Sequence, residues 1–373
     1  MTFILLVLFI VYAVIIAHLI YGFDQIKSYE NKILNPKTYF AIVVPFRNES
    51  SNLPQLLESI KNLNYPKALF EIILVDDFSE DDSVKKIYNW RMENGEYHTT
   101  LLENLRISNS PKKDAISRAI PIIKNEWIVT TDADCTVPED WLLTLDNCIQ
   151  SREVAMIVGA VSYEGKKSFL HHFQQLDLIS LQGATIGSFG LGLGFMCNGA
   201  NFCYTKSAFQ QLNGFVGNNK MASGDDVFLL QKAMIIFPEK VFYLKSKSNI
   251  VHTKPLNDWK SLFHQRVRWA SKTSRYQSVF GKDLALVVFV GNLSWILSLI
   301  LCISGSIQYG YFALFFLMKF TTDFILLQKA NVFLSKKRMH YLFLSSLWYP
   351  FFSVSVALFS LLGKYEWKGR TLK

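Results

Sequence analysis

Four long apolar stretches limit what this chain can fold into more than anything else in it. Phe3 to Tyr21 is apolar apart from His18, and Leu284 to Ser304, Ile307 to Leu327 and Tyr341 to Leu362 follow near the other end. At about 1.5 Å of rise per residue, each is long enough to cross roughly 30 Å of hydrocarbon as a helix. Half of the 373 residues are hydrophobic and 14% are aromatic, more than a water-soluble enzyme usually carries, and the excess lies in these runs. A cleaved signal peptide is the competing reading of the first stretch, but no basic segment precedes it and no small-residue cleavage pattern follows it. The chain therefore divides into a transmembrane helix over 1–23, a large middle segment over 24–282 and a transmembrane region with a basic tail over 283–373.

The second and third stretches, joined by a short Gly-Ser turn, read as a helical hairpin. Lys329, Lys336, Lys337 and Arg338 crowd the loop after it, which places that loop, and with it the middle segment, in the cytoplasm under the positive-inside rule. A full span over 341–362 would leave Lys364, Lys368, Arg370 and Lys373 on the far side, against the same rule. Pro350 interrupts that stretch, so a broken or re-entrant helix that returns the tail to the cytoplasm is the alternative. The net charge of +9 lies largely beside these runs, with no basic-aromatic patch of the kind that binds single-stranded nucleic acid. Anionic lipid head groups explain it better. The five cysteines form no Cys-x-x-Cys pair and no zinc-type cluster, and are read as free thiols of a reducing compartment.

The middle segment alternates strand and helix signals. Tyr39 to Val44, Glu71 to Val75 and Trp127 to Thr131 read as strands, Asn52 to Leu63 and Ser83 to Met92 as helices. That pattern predicts a mostly parallel sheet covered by helices, with ligands bound at the carboxyl ends of its strands. Asp76-Asp77 and Asp132-Ala133-Asp134 fall at two such ends. Of Asp132 and Asp134, read as an extended segment, one carboxylate is expected to meet a metal directly and the other to act through water or the substrate. Mg²⁺ and Mn²⁺ favour such oxygen ligands, with diphosphate oxygens and water completing the shell. Each acidic pair also has a bland reading as a turn or helix cap, and Ser79 and Asp82 are expected to cap the helix that starts near Ser83.

Two further elements complete the set. Ser223-Gly224-Asp225-Asp226 opens an apolar helical run and could supply a general base, or merely a cap. In Gln265-Arg266-Val267-Arg268-Trp269, the residues Gln265, Arg268 and Trp269 share one helical face, offering an amide, a phosphate-clamping guanidinium and an indole for sugar stacking. An interfacial basic-aromatic helix is the alternative.

Taken in order over residues 39–275, these elements resemble the family 2 glycosyltransferases, the inverting enzymes that include cellulose, chitin and hyaluronan synthases and ceramide glucosyltransferases. Val43 to Glu49 is similar to that family's first strand and loop, Asp76-Asp77 to its nucleotide-contacting acids, and Asp132-Ala133-Asp134 to its metal motif. Asp225-Asp226 stands where the family has its catalytic acids, and Gln265 to Trp269 fits its Q-x-x-R-W signature. The resemblance implies a GT-A (nucleotide-diphospho-sugar transferase) α/β domain over 24–282, with transmembrane helices at both ends. Cys197 to Asn201 resembles the acceptor-side segment, and Phe209 to Phe215 the helix and Gly-Phe turn after it. Pro111-Lys112-Lys113 resembles a Gly-Lys element near the nucleotide, with Pro111 replacing the glycine, and Trp367 to Arg370 a tail motif of some membrane-bound relatives.

The implied roles follow. Asp134, assisted by Asp132, holds a divalent ion (Mg²⁺ or Mn²⁺) that neutralises charge on the departing nucleoside diphosphate, so a single carboxylate base suffices. Asp226 is that base and Asp225 the fallback. Asp76, Asp77, Lys112, Asp132 and Arg268 contact the donor, while Asn201, Gln265 and Trp269 face the acceptor. The expected partners are a nucleotide-sugar, with uridine favoured, a lipid or glycan acceptor and the membrane. Transfer of one sugar to a lipid or lipid-linked acceptor is preferred because few membrane helices are left to form a polymer channel. A processive polysaccharide synthase is the alternative, and a non-catalytic scaffold is disfavoured by the intact acids. A soluble dinucleotide-binding enzyme is weakened as a reading, since no G-x-G-x-x-G follows the first strand, and Gly190 to Gly194 reads as a flexible loop near the acceptor cleft.

Overall fold

The computed structural model describes residues 1–165, 168–218, 221, 223–335 and 338–361, and the backbone alone of 365–367 and 370–372. Lys336, Lys337, Lys364, Lys368 and Lys373 of the basic loop and tail lie outside the described residues. The chain forms two compact units: 27–164 with 196–254, and 1–26 with 165–195 and 255–373. The expected middle segment, 24–282, is thus shared between them.

The first unit is built on β1 (Phe40–Phe46), β2 (Phe70–Asp76), β3 (Thr99–Glu103), β4 (Trp127–Thr130), β6 (Met156–Gly159), β8 (Phe202–Thr205) and β9 (Val241–Leu244). They form one sheet in the order β3-β2-β1-β4-β8-β6-β9. β1 to β4 are mutually parallel where they pair, β8 runs antiparallel to β4 and β6, and β9 is parallel to β6. Central strands such as Ala41-Ile42-Val43-Val44 are fully buried, as near-continuous apolar runs in a parallel sheet require. A small sheet joins β5 (Cys135–Thr136), β7 (Val161–Tyr163) and β10 (Val251–Thr253).

Helices α2 (Leu53–Lys61), α3 (Ser83–Glu93), α4 (Pro111–Ala119), α5 (Trp141–Ser151), α7 (Lys206–Gln211) and α8 (Asp225–Ile236) complete this unit. Leu56, Leu57 and Ile60 of α2 and Trp141 and Leu145 of α5 pack with Ile42, Leu74 and Val129 of the sheet in one core. The register pairs Phe46 with Asp76 and Asp76 with Glu103, so three neighbouring strands leave the sheet at one level.

The expected cap of α3 is corrected. Asp82 occupies the N-cap position without a side-chain bond, and Ser79 instead accepts from the Asn48 N–H. Asp81 does the work, accepting from the Ser83 N–H at 3.0 Å and from the Ser50 N–H at 3.0 Å. Partial burial pushes its carboxyl up, but the hydrogen bonds from Ser83 and Ser50 outweigh that and bring it down to about 2.

The second unit contains α1 (Thr2–Gln25), α6 (Phe169–Gly190), α9 (Trp259–Ala270), α10 (Val279–Ile303), α11 (Tyr309–Leu334) and α12 (Leu342–Ser360), with a backbone hairpin of β11 (Tyr365–Trp367) and β12 (Arg370–Leu372). Among the described residues, α1, α10, α11 and α12 are long and apolar enough to cross a membrane. α12 runs through Pro350 as one helix rather than a broken one, and β11 lies against α9.

Two devices hold these helices together. Tyr12 donates to Asp323 at 2.6 Å and Lys319 pairs with the same carboxylate at 2.6 Å, which ties α1 to α11 through a neutralised polar cluster. α6 meets α1 backbone to backbone, because a Cβ on Gly22 would lie 2.1 Å from the Gly187 carbonyl oxygen and one on Gly187 would lie 2.4 Å from that of Leu19. Gly190 belongs to the same contact as the last residue of α6, so the Gly190 to Gly194 segment begins in a packed helix rather than a free loop. Gly187→Leu is expected to cost about 1–3 kcal/mol or more through overpacking, seen as a lower Tm of the detergent-solubilised protein. Gly95→Ala, where a Cβ has room, should leave Tm unchanged.

Candidate active site

Carboxylates converge beyond the carboxyl end of β4. Thr130 closes that strand and donates to the Gly199 carbonyl at 2.7 Å, pinning the turn before β8 beside it. Asp132 follows two residues later. The segment does not stay extended: the Cys135 N–H bonds back to the Asp132 carbonyl at 3.1 Å, so Asp132 to Cys135 form a turn. The expected extended segment over Asp132 to Asp134 is corrected accordingly, with Asp134 exposed at the turn's corner.

Pro111 at the first turn of α4 explains the replaced glycine. Its fixed φ suits the first helical position, and it sets Lys112 one residue in. The Lys112 ammonium lies 2.6 Å from Asp132 and 3.4 Å from Asp225. Burial works to lower its pKa, but Asp132, Asp225 and Asp226 outweigh it and hold the ammonium well above the usual lysine range.

Asp225 and Asp226 form the first turn of α8, where the helix dipole favours negative charge. The turn is set by Gly224 at φ 84°, a left-handed conformation suited to glycine. Asp226 accepts from the Gly199 N–H at 2.8 Å and the Val227 N–H at 2.7 Å. Gly199 also leaves this cluster room: a Cβ there would sit 3.1 Å from both Asp225 Oδ2 and Lys112 Nζ, a tight contact that one of those side chains would have to yield to. Lys112, Asp132, Asp225 and Asp226 are thus one constellation.

A second group lies at the ends of β1, β2 and β3. Asp77 is buried and gripped by Arg106, with Nε and one terminal nitrogen each at 2.8 Å, and by Asn104 at 2.8 Å. Arg47 donates to the Asp77 and Phe78 carbonyls at 2.8 and 2.5 Å and reaches Glu80 at 2.9 Å. This fixes Phe78 at φ 58° with its ring exposed beneath the Arg106 guanidinium, 5.0 Å away. Asp76 is bonded to the Ser79 N–H at 3.0 Å and is half exposed. Sequence reasoning missed Asn104 and Arg106 because β3, Thr-Thr-Leu-Leu-Glu, is a half-buried edge strand without an apolar run.

Asn201 is a correction. It is buried, accepts from Trp141 Nε1 at 2.9 Å and donates to the Ala160 and Asn249 carbonyls at 2.9 and 2.6 Å. Its amide joins core elements and does not face an acceptor. Gln265, Arg268 and Trp269 lie on α9 in the other unit, half-buried, with Arg266 between them fully buried.

Among the described residues no three His, Cys, Asp or Glu side chains form a metal cage. Asp132 and Asp134 offer oxygen ligands alone, and one or two carboxylates suffice where diphosphate oxygens and water fill the remaining positions. The residues present fit such an ion. The five cysteines are buried and free of disulfides.

Comparison with known proteins agrees with this architecture. The model of Glycosyl transferase family group 2 matches residues 127–362, and that of Glycosyl transferase family 2 matches residues 41–212. The chain belongs to the family 2 glycosyltransferases, and its α/β unit has the GT-A fold. A beta-monoglucosyldiacylglycerol synthase from Nostoc sp. is 25% identical over 259 residues, which cover 66% of this chain and 52% of that protein. A poly-beta-1,6-N-acetyl-D-glucosamine synthase from Staphylococcus aureus is 26% identical over 137 residues, 36% of this chain and 32% of that one. The chain therefore spans about half the length, or less, of these curated relatives. Among solved structures, a mannosyltransferase from Pyrobaculum calidifontis in complex with GDP-Man and Mn²⁺ superposes with a TM-score of 0.54 at 16% identity, covering 90% of this chain and all of that one.

Arg106→Met would leave the buried Asp77 carboxylate with a neutral partner, and is expected to cost about 1–3 kcal/mol, read as a drop in Tm. Breaking the exposed Lys67–Glu96 pair with Lys67→Met should leave Tm nearly unchanged in the same assay.

Proposed function

We propose that this enzyme moves a sugar from a nucleotide-sugar, with uridine the favoured base, to the hydroxyl of a membrane lipid, inverting the anomeric centre. The observation that carries this reading is the cluster of Lys112, Asp132, Asp225 and Asp226 at the sheet's carboxyl edge, in a chain whose other unit holds, among the described residues, four helices of membrane length. The lipid acceptor is supported by the name of the Nostoc relative. A polymer product is the second reading, supported by the Staphylococcus aureus relative.

In this scheme Asp226 takes the proton of the attacking hydroxyl. Its carboxylate accepts from the Gly199 and Val227 N–H groups and remains more exposed than Asp225, which faces Lys112. Lys112 offers positive charge next to the departing diphosphate, and Asp76 and Asp77 hold the ribose and base, Asp77 in the posture that Arg106 and Asn104 give it. Arg268 clamps phosphate oxygens, while Gln265 and Trp269 shape the acceptor side. Asp134 with Asp132 would hold Mg²⁺ or Mn²⁺, which when bound neutralises charge on the leaving group. The middle segment, 24–282, faces the cytoplasm, with Lys329 and Arg338 at the membrane ends on that side.

The test uses membranes carrying the full chain, labelled UDP-glucose and dioleoylglycerol. Wild-type label is expected in a discrete glycolipid, and Asp226→Asn should lower transfer at least about 100-fold with Tm unchanged. Label in polymer would replace the single-transfer reading, and a fully active Asp226→Asn would remove the base assignment. Chelation with EDTA is expected to abolish transfer and Mg²⁺ or Mn²⁺ to restore it, and undiminished activity in EDTA would overturn the metal role.

A further inference from the structure

The second unit contains a buried charge pair that none of the foregoing uses. Arg266 on α9 and Asp177 on α6 face each other, the guanidinium Nε 2.5 Å from the carboxylate, with the two side chains 5% and 6% exposed. The carboxylate also faces Tyr349 of α12. A pair so deep costs desolvation that its attraction only roughly offsets, so packing alone does not account for choosing charged residues here.

What Arg266 does with its remaining surface is more informative. Its terminal nitrogen donates to Gln265 Oε1, and its planar face lies 4.2 Å from the centroid of the Trp269 ring. One guanidinium therefore contacts both flanking members of the Q-x-x-R-W element. The bond to Oε1 fixes which way the Gln265 amide is turned: the oxygen faces Arg266, so the NH₂ group is left as the outward donor. The cation over the indole restrains the Trp269 ring in the same way. Arg266 can do both only while something holds its own orientation, and the bond from Nε to Asp177 supplies that hold. A lysine could not replace it, since a single ammonium lacks the fork that serves a carboxylate, an amide and a ring at once.

We infer that Asp177 is a positioning residue for glycosyl transfer: through Arg266 it orients the Gln265 amide and the Trp269 ring toward the acceptor. The inference rests on the acceptor role proposed for those two residues. It assigns a transfer function to α6, a helix outside the recognised motifs, and it predicts a defect specific to the acceptor.

A double substitution separates this role from stability. Asp177→Asn alone strands a buried guanidinium and should lower both Tm and activity. Asp177→Leu with Arg266→Met removes both charges and preserves volume, so its Tm should return to within a few degrees of wild type. In that double variant, acrylamide quenching of Trp269, read as the difference from the same protein carrying Trp269→Phe, should rise roughly twofold or more. With UDP-glucose and dioleoylglycerol vesicles, kcat/KM for the lipid should fall about tenfold or more while the donor KM stays within about twofold. A double variant with wild-type Tm, quenching and lipid kinetics would overturn the inference and leave the pair purely structural. If the wild type transferred nothing while quenching rose in the double variant, the anchoring of Trp269 would stand and the proposed acceptor chemistry would fall.

Discussion

Three like charges brought to one place set the terms for the rest of the catalytic unit. Carboxylates at contact distance repel by about 4 kcal/mol per pair at the effective dielectric near a protein surface, so Asp132, Asp225 and Asp226 need compensation. Lys112 supplies a full positive charge, and the first turn of α8 and the Gly199 N–H supply partial ones. Each compensation draws on the backbone: Pro111 to start α4, Gly224 in the left-handed region, and the room that Gly199 leaves. Thr130 then links the turn containing Gly199 to the end of β4. The sheet supports this balance through its register, which brings the loops out at one edge.

The balance also separates roles among chemically identical residues. Asp225 is largely enclosed and committed to Lys112, whereas Asp226 is held by neutral amides and stays half exposed. Asp77 is engaged by Arg106 and Asn104 and shapes its loop, while Asp76 keeps more of its carboxylate open. Spacing cannot distinguish the members of either pair, because adjacent acids differ only in what the tertiary structure sets beside them.

Legibility follows the range of the interactions. Apolar runs such as Ile72 to Val75 and the four membrane-length stretches announce themselves, since burial dictates them residue by residue. The order of the acidic motifs likewise pointed to Asp132 and Asp225-Asp226, and the resemblance to Lys112, whose ammonium does reach Asp132 and Asp225. Elements set by distant partners stayed hidden. β3 is an edge strand with mixed polarity, Asn201 looks like a ligand until Trp141 and Asn249 surround it, and Asp82 looks like a better cap than Asp81. Nothing in the periodicity of α6 says that its glycines meet the backbone of α1, which is why a single uninterrupted middle segment seemed natural.

That contact between α1 and α6 has a consequence for synthesis. The chain passes from one unit to the other after residues 26, 164, 195 and 254, so neither unit is contiguous. During translation α1 is complete when Gln25 has been made, yet the helix that covers Gly22 ends at Gly190, and the Asp323 that accepts from Tyr12 comes later still. The nascent α1 must therefore wait with Gly22 uncovered and the Tyr12 phenol without its acceptor while the intervening sheet takes shape. A fragment cut to 24–282 would reproduce the mirror image of that state, with α6 and α9 separated from the helices they pack on.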